Sequence, residues 1–503
     1  MALLLGIDVG TSSVKALLFD PETAQTVAVA AQEYPIHKPT PDGAEQDPDD
    51  WWRAAIVVVK RATASAGRDD VAAISFSGQM HGCVLLDHDR RPMRPAIIWA
   101  DQRSAAQVRQ LIERVGAEHF TSIAGTLPAA GFLIATLAWL RQHEPKLLDK
   151  ADRFVLPKDY VRLCMSGEVY TEVSDAASSA MLDIAQKQWS SELMQAAGVA
   201  EAICPPVLES LQPAGYLTAS AAAALGLKAG IPLIAGCADQ PAQSIGSGLI
   251  APGAASVTIG SGGQVLAPLL TQHGRVPTDE RLHVFNHAVP DTYYVLGAIL
   301  SAGLALRWLR NLAGLQNAPN AYEILSAEAA VLPAGANGLI FLPYLSGERT
   351  PHMDPFARGC FVGLSYHHER GHLARAVMEG VSFALRQTLE ISLSLAGAVQ
   401  GVIAAGGGAE SPVWRQMLAD IFGLPLKKSL LAEQACIGAA LIAGVGSVYY
   451  RDLHDACARV VRYSAPTEAD ESQHNRYNAL YEQFLKLYPQ LRGNMFELVH
   501  LGD

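Results

Sequence analysis

The feature of the sequence that most constrains the fold is a hairpin pattern that occurs twice. The first copy, GIDVGTSSVKALLFD (residues 6–20), has two apolar runs separated by a short turn with glycine, which is typical of antiparallel strands. The second copy, APGAASVTIGSGGQVLAPL (residues 251–269), has the same order of apolar run, Gly/Ser turn and apolar run. We infer two domains of related topology with one hairpin each; a chance similarity of two Gly/Ser turns is the alternative.

The turn of each hairpin is suited to binding an anion. Successive backbone N–H groups at a tight turn form a concave site for phosphate oxygens. In the first copy, Asp8 ends an apolar strand just before Gly10, Thr11, Ser12 and Ser13, and a lone carboxylate there can hold a hard divalent cation through water. The pattern predicts a site for a metal-bound polyphosphate, although by itself it fits a polar turn without a ligand equally well.

A third glycine-rich element lies in GVIAAGGGAESPVWRQMLAD (residues 401–420). It reads as a short buried strand, a Gly-rich turn and a helix, with Ser411 as the helix cap and Pro412 at the first helical position. Such a turn lets a nucleotide approach the backbone closely. It matches neither the GxGxxG nor the Walker A pattern, so a plain structural turn is the alternative.

Length and pattern predict an α/β protein of two domains. A chain of 503 residues is longer than one hydrophobic core usually organises, and 50% hydrophobic with 17% charged residues is in the globular range. Strand-like apolar runs alternate with helical patterns, as in α/β folds. We place the domains at residues 1–244 and 245–503, the second ending in a helical tail.

Composition disfavours several classes of function. The net charge of −11, without a clustered Lys/Arg face, argues against a nucleic-acid partner. The seven cysteines are scattered and form no CxxC pair, which disfavours a disulfide framework and a zinc site.

Membrane and export signals are weak. The N-terminus has no basic lead before its first strand, so a signal peptide is not expected and the cytoplasm is the default location. Residues 391–409 are free of charge over a length that could span a bilayer. Their glycines favour a helix end, a short strand and a loop instead, so we expect no membrane partner.

Several segments together resemble the FGGY family of carbohydrate kinases, over almost the whole chain. Besides the two hairpins and the third glycine element, they are EQDPDDWW (45–52), SGQMHG (77–82), IIWADQR (97–103), LPKDY (156–160), AGCADQ (235–240) and FLPYLSGERTPHMDP (341–355). The resemblance implies two ribonuclease-H-like domains of the actin/hexokinase/Hsp70 ATPase type, with a cleft between them that closes on sugar and ATP.

The resemblance also implies an activity, phosphorylation of a sugar hydroxyl by ATP with Mg²⁺. The segment SGQMHG and the combination of EQDP with WW in EQDPDDWW are most similar to family members that act on D-xylulose. This similarity implies D-xylulose 5-phosphate as the product. Another ketopentose or polyol, such as ribulose, ribitol or glycerol, is the alternative acceptor.

Asp239, at the end of the apolar run IPLIAGCA (residues 231–238), matches the position that the family uses as the catalytic base. With the ordinary aspartate pKa of about 3.9 it would be a weak base, so we expect its contribution mainly in the transition state. A helix-capping role beside Gln240 and Pro241 is the structural alternative.

Other roles are carried over from the family position by position. Asp8 is expected to hold Mg²⁺, and Asp8 and Asp239 to converge on opposite sides of the interdomain crevice. The expected contacts of ATP are Thr11, Ser12, Ser13, Lys15, Gly260 and Ser261 for the phosphates and Gly303, Gly407 and Gly408 for the nucleoside.

For the sugar, the resemblance implies contacts from Met80 and His81. Its other expected contacts, Trp99, Asp101, Arg103 and Gln240, line or support the same cleft. Gln240 departs from the Asn that often follows the base in the xylulose-specific members, and the longer amide weakens the prediction of the substrate more than that of phosphotransfer.

Two other classes share part of this pattern. An Hsp70-like ATPase has a similar first hairpin, but it needs a protein-binding β-domain that the segment after Tyr450 is too short and too helical to provide. A sugar sensor without catalysis is disfavoured because both aspartates and all the glycine turns are retained. Homodimerisation, common in the family, is carried over as an expectation.

Overall fold

The computed structural model describes residues 2–502, which divide into two compact units. The first unit comprises Met1–Ile250, Leu270–Tyr294 and Leu431–Val461, and the second comprises Ala251–Leu269, Val295–Leu430 and Arg462–Asp503. Each unit therefore gathers separate stretches of the chain. The domain boundary that we place after residue 244 stays a prediction.

The first unit is built on a mixed sheet. Its main strands, in spatial order, are Pro213–Tyr216, Pro232–Ile234, Val71–Gly78, Leu3–Val9, Ser13–Asp20 and Gln25–Glu33. Leu3–Val9 pairs antiparallel with Ser13–Asp20, which confirms the first predicted hairpin, and parallel with Val71–Gly78. The short strand Cys237–Ala238 pairs parallel with the other edge of Val71–Gly78.

The first strand is apolar on both faces because both faces are covered. Leu3, Leu5 and Ile7 belong to one buried cluster and Leu4 to another, since successive side chains of a strand point to opposite faces. Sheets with helices on both faces have such continuous apolar strands. The helix Pro48–Ala66 contributes to the first cluster.

The second unit repeats this plan. Its strands, in spatial order, are Tyr293–Ile299, Gly263–Leu269, Ala255–Ile259, Val402–Ala405 and Leu426–Lys428. Ala255–Ile259 pairs antiparallel with Gly263–Leu269, which confirms the second hairpin, and parallel with Val402–Ala405. Both units thus combine a leading antiparallel hairpin with parallel strands, in agreement with the α/β prediction.

Helices and short strands complete the two units. The other helices of the first unit are Ala105–Val115, Ala117–Ala124, Leu133–His143, Pro145–Lys150, Pro157–Ser166, Val173–Ser178, Ser191–Ala197, Ala219–Leu225, Asp239–Gly246, Gln434–Gly446 and Leu453–Val460. Those of the second unit are Gly303–Leu312, Ala321–Ala330, Arg370–Ala396, Pro412–Phe422 and Glu471–Gly502. Two-to-four-residue strands lie at Glu45–Gln46, Val84–Leu86, Ala96–Ile97, Arg153–Val155, Thr171–Glu172, Leu182–Asp183, Gln188–Trp189, Val207–Leu208, His283–Asn286, Ile340–Leu342 and Cys360–Val362.

The apolar helix Gln434–Gly446 is in close contact with two other elements of the first unit. A Cβ atom added at Gly6 of the first strand would lie 2.0 Å from the carbonyl oxygen of Cys436. A Cβ atom added at Gly438 would lie 2.0 Å from the carbonyl oxygen of Ala242, in the helix that Asp239 begins. The helix therefore fixes the strand that carries Asp8 and the helix that carries Asp239 in one frame.

The third glycine element has the predicted form. The strand Val402–Ala405 leads through a short 3₁₀ turn, Gly407–Glu410, to a helix with Pro412 at its first position. Ser411 caps this helix by accepting the Trp414 N–H at 3.3 Å. Among the described helices, none combines the length and hydropathy needed to cross a membrane.

Candidate functional site

Asp8 and Asp239 lie at the same edge of one sheet. Asp8 and Cys237 are both register partners of Ser77, on opposite sides of the strand Val71–Gly78. The three strands run parallel, so their carboxyl ends meet at one edge, and Asp239 follows directly after Ala238. With strands about 4.8 Å apart, the two backbones are separated by roughly two strand spacings.

This placement differs from the expectation that the two carboxylates stand on opposite sides of an interdomain crevice. Both belong to the first compact unit. The reason is the parallel strand Val71–Gly78, which pairs with the strand of Asp8 on one side and with Cys237–Ala238 on the other.

The carboxylate of Asp239 is desolvated. Its Oδ1 atom is shielded from solvent and accepts no hydrogen bond from any described residue. Burial, and secondarily the negative charge of Asp8, raises the pKa of Asp239 to about 7. The sequence-based premise of an ordinary pKa is therefore wrong, and the group is suited to take up a proton near neutral pH.

Asp8 provides a hard oxygen ligand. Ser77 Oγ donates a hydrogen bond to its Oδ1 at 2.8 Å. Burial raises the pKa of Asp8, against the opposing effects of Ser77 and Lys15. Within residues 2–502 no group of three or more His, Cys, Asp or Glu side chains could hold a metal, but Mg²⁺ needs only one or two carboxylates beside water and phosphate oxygens. Asp8 therefore fits this ion.

The turn of the first hairpin directs free N–H groups outward. The Gly10 N–H donates to the Ser13 carbonyl at 3.1 Å, and Gln46 Nε2 donates to the Thr11 carbonyl at 2.7 Å. The backbone N–H groups of Thr11 and Ser12 donate to no acceptor in the described part of the chain. Two such amides at a tight turn are available to bind an anion, and the anion site itself stays a prediction.

Lys15 is held by an acidic partner. Its Nζ lies 2.6 Å from Glu433 Oε2. Burial alone would lower the pKa of Lys15, but the hydrogen bond and charge of Glu433 outweigh it and raise the pKa. Its predicted contact with a phosphate would compete with this pair.

The turn of the second hairpin also has backbone N–H groups without an acceptor among the described residues. Gly303 donates its N–H to the Gly260 carbonyl at 2.8 Å, and the carbonyl of Ser261 accepts two further N–H groups from the same helix start. The amides of Ser261 and Gly262 have no acceptor among residues 2–502. A Cβ atom at Gly262 would lie 2.8 Å from the carbonyl of Ile299, so the turn requires glycine there.

The two glycines predicted to contact the nucleoside differ. A Cβ atom at Gly408 would lie 2.3 Å from Cγ2 of Ile259, whereas one at Gly407 would meet nothing within 4 Å. Gly408 is thus required for packing against the strand that leads to the second hairpin turn, and Gly407 leaves the backbone accessible.

Met80 and His81 lie just beyond the end of the strand Val71–Gly78. Met80 is buried. His81 has a positive φ of 70°, its Nδ1 lies 2.8 Å from the Ser178 carbonyl oxygen, and its ring stacks on Phe132 at 3.9 Å. The imidazole is thereby fixed in orientation, as a sugar-binding donor or acceptor would need to be.

Trp99 is 45% exposed, and its indole N–H donates to Thr11 Oγ1 at 2.8 Å. Asp101 is buried and accepts hydrogen bonds from the Ala44 N–H at 2.8 Å and from Arg103 Nε at 2.8 Å. Arg103 also reaches Glu45 at 2.7 Å. Asp101 and Arg103 thus already have hydrogen-bond and ion-pair partners within the protein. They are suited to hold the neighbouring loop in place.

Sequence reasoning missed the groups that hold the two aspartates. Ser77 donates to Asp8, and Ser174 Oγ accepts the N–H of Ala238 at 3.0 Å. The sequence does not assign these two contacts, because they join residues 69 and 64 positions apart. Ser77 belongs to the segment SGQMHG and Lys158 to LPKDY, so the family resemblance indicates this region but not these contacts.

Comparison with known proteins gives a consistent result. The model of the FGGY family of carbohydrate kinases matches with its N-terminal domain at residues 3–246 and with its C-terminal domain at residues 255–447. A xylulose kinase of Bacillus subtilis is 35% identical over 491 residues, 97% of either chain. A xylulose kinase of Escherichia coli is 36% identical and covers 97% of this chain and 99% of its own. The crystal structure of a xylulose kinase from Rhodospirillum rubrum superposes with a TM-score of 0.92 at 31% identity, covering 98% of this chain and 99% of that one.

Proposed function

Because this chain belongs to the FGGY family of carbohydrate kinases, we propose that it transfers the γ-phosphoryl group of ATP to the terminal hydroxyl of D-xylulose. The products are D-xylulose 5-phosphate and ADP. The full-length similarity to xylulose kinases supports the choice of acceptor. The observation that carries the mechanism is the buried carboxylate of Asp239 beside Asp8, whose Oδ1 atom accepts no hydrogen bond from a described residue.

Asp239 serves as the general base. Phosphoryl transfer leaves a protein little covalent chemistry, so catalysis rests on alignment and charge. A base is most effective when its pKa is close to the working pH, and the pKa of Asp239 is about 7. Its Oδ1 accepts the proton of the attacking hydroxyl as the oxygen bonds to phosphorus.

The phosphates bind at the hairpin turns. In the first unit the ligands are the Thr11 and Ser12 amides, aided by Ser13 and Lys15. In the second unit Gly260 and Ser261 bind phosphate, and Gly303, Gly407 and Gly408 border the nucleoside. Asp8 would hold Mg²⁺, largely through water, and the ion when bound neutralises phosphate charge.

The sugar binds beside the base. His81, fixed by Ser178 and Phe132, hydrogen-bonds a hydroxyl, and Met80 forms an apolar wall. Gln240 follows the base and shapes the pocket around it. Trp99 borders the same site, while Asp101 and Arg103 hold its loop.

A panel of acceptors assayed for ADP release tests this function. With ATP and Mg²⁺ constant, we expect the highest kcat/KM with D-xylulose, and clearly lower values with D-ribulose, ribitol, glycerol and gluconate. Phosphorus NMR of the product should show a phosphomonoester at the terminal carbon. Turnover of ribulose or glycerol without turnover of xylulose would contradict the proposed acceptor.

A further inference from the structure

A buried polar network contacts the backbone of Ala238, the residue before Asp239. It consists of Lys158, Asp159, Glu172, Ser174 and Asp175, each at most 1% exposed. Taking charged groups out of water is costly unless they are paired and hydrogen-bonded, so a cluster of this kind at a proposed catalytic carboxylate calls for a physical explanation.

Ser174 links the network to the backbone of the base. Its Oγ donates to Glu172 Oε1 at 2.8 Å and accepts the N–H of Ala238 at 3.0 Å. A hydroxyl has one proton, and giving it to Glu172 turns a lone pair toward Ala238. Ala238 is the residue immediately before Asp239.

Glu172 fixes the orientation of that serine. Its carboxylate caps the short helix Val173–Ser178 by accepting the N–H groups of Ser174 and Asp175 at 3.0 and 2.8 Å. It also accepts the hydroxyl of Ser210. The side chain of Glu172 is thus held from several directions, and it fixes the direction in which the Ser174 hydroxyl donates.

Lys158 supplies the opposing charge. Its Nζ lies 2.8 Å from Asp159, 3.1 Å from Asp175 and 3.5 Å from Glu172. Burial alone would lower the pKa of Lys158, but these carboxylates outweigh it and raise the pKa. A Cβ atom at Gly78 would lie 2.8 Å from Cβ of Lys158, so the lysine stem packs on the strand residue that pairs with Ala238.

We propose that Ser174, oriented by Glu172 and Lys158, is a positioning residue that fixes the backbone at Ala238 and thereby aims the carboxylate of Asp239. The inference rests on the proposed role of Asp239 as the base. Oδ1 of Asp239 accepts no hydrogen bond from a described group, and the hydrogen bonds to the carboxylate come from the adjacent residue, Gln240, so its direction depends on the backbone that carries both residues. That backbone is held by a two-residue strand pairing on one side and by Ser174 on the other.

The test compares Ser174→Ala with Asp239→Asn and with a matched control. Misplacement of a reacting group by about 1 Å can cost about 100-fold in rate. We therefore expect Ser174→Ala to lower kcat with D-xylulose by about ten- to hundredfold, with the Kd for the sugar changed by no more than about threefold. If Ser174 has only a structural role, the substitution should lower the thermal midpoint, and kcat should not fall by more than sugar binding weakens.

Ser382→Ala is the control, because Ser382 is also fully buried and its hydroxyl accepts an N–H from a distant residue, Trp414 Nε1 at 3.1 Å. Ser382 belongs to the second unit, whereas Asp239 belongs to the first. We expect a comparable loss of thermal stability and an unchanged kcat.

The outcomes separate this inference from the proposed function. Absence of D-xylulose turnover in the wild type would overturn the function itself, whereas wild-type kcat in Asp239→Asn would overturn the role of Asp239 as the base. An inactive Asp239→Asn together with wild-type kcat in Ser174→Ala would overturn only the positioning role. If Ser174→Ala does not fold, Glu172→Gln decides by the same readouts: an amide has one acceptor oxygen where the carboxylate has two, so we expect a fall in kcat of about tenfold, and an unchanged kcat would refute the role.

Discussion

At Asp239 one carboxylate oxygen has neither solvent nor a described donor beside it. Desolvation disfavours the charged form, and the charge of Asp8 acts in the same direction, so the pKa of Asp239 rises to about 7. The neighbouring Asp8 shares the sheet edge but receives the hydroxyl of Ser77. Two carboxylates in different surroundings can thus take different roles, one as the base and one toward the metal.

This raised pKa predicts a pH dependence. A base must be ionised to accept a proton, so kcat/KM for D-xylulose, measured with ATP well below its KM, should rise with pH and level off above an apparent pKa of about 7. Steady-state rates between pH 5.5 and 8.5 check it. A flat profile over this range would show that Asp239 is already fully ionised at pH 5.5 or is not the base.

Among the strands and helices, the two hairpins could be predicted from the sequence, whereas the contact of the buried polar network with Ala238 could not. A glycine-containing turn between two apolar strands is a local pattern, and both hairpins formed as expected. The contact of Ser174 with Ala238 joins residues 64 positions apart. It depends on which strands pair in parallel, and a single sequence does not encode that pairing as a local signal.

The glycine contacts of the helix Gln434–Gly446 give a prediction at this scale. Ala at position 438 would place a methyl group 2.0 Å from the Ala242 carbonyl, and the helix that begins with Asp239 would have to shift. We expect Gly438→Ala to lower the free energy of unfolding by about 1–3 kcal/mol, and to reduce kcat at least about tenfold. Urea unfolding and the ADP-release assay measure the two effects.

Gly493→Ala is the matched control for this substitution. Gly493 lies inside the helix Glu471–Gly502, and a Cβ atom there meets nothing within 4 Å. Alanine should therefore stabilise the helix by up to about 1 kcal/mol without altering kcat. Equal stability of the two variants would mean that the close packing at Gly438 has been misassigned.

For the whole molecule, the predicted α/β fold with two domains of the ribonuclease-H-like, actin/hexokinase type is confirmed by the two mixed sheets and by the similarity to solved sugar kinases. The fold was accessible from sequence because its family segments are spread along the whole chain. The protonation states of its buried acids were not accessible, because they depend on tertiary burial.

The effect of burial on the protonation of an acid can be tested at Glu348, because its protonation changes the stability of the folded protein with pH. Its Oε1 accepts the N–H groups of Leu300 and Arg349, both at 2.8 Å, while Oε2 is buried without a described partner. Burial raises its pKa from 4.5 to about 8. A raised pKa means that the folded state holds the proton more tightly, so this stability is present below pH 4.5 and is lost as the pH rises to about 8.

Glu348→Gln resembles the protonated acid at every pH. We expect its thermal midpoint to fall less than that of the wild type between pH 5 and pH 8. Glu482→Gln, an exposed change on the terminal helix, should keep the wild-type slope. Scanning calorimetry at both pH values measures this, and parallel slopes for wild type and Glu348→Gln would contradict a protonated Glu348.

The proposed role of Asp239, to accept the proton of the attacking sugar hydroxyl, is examined by the substitution Asp239→Asn. The amide keeps the size of the side chain but cannot accept that proton as a carboxylate does. Calorimetric titration with D-xylulose and the rate of ADP release should be measured on the same preparation. If Asp239 is the base, the variant should bind the sugar within about tenfold of wild type and have a kcat lower by about 100-fold or more; a variant that binds the sugar and retains wild-type kcat would show that Asp239 is not the base.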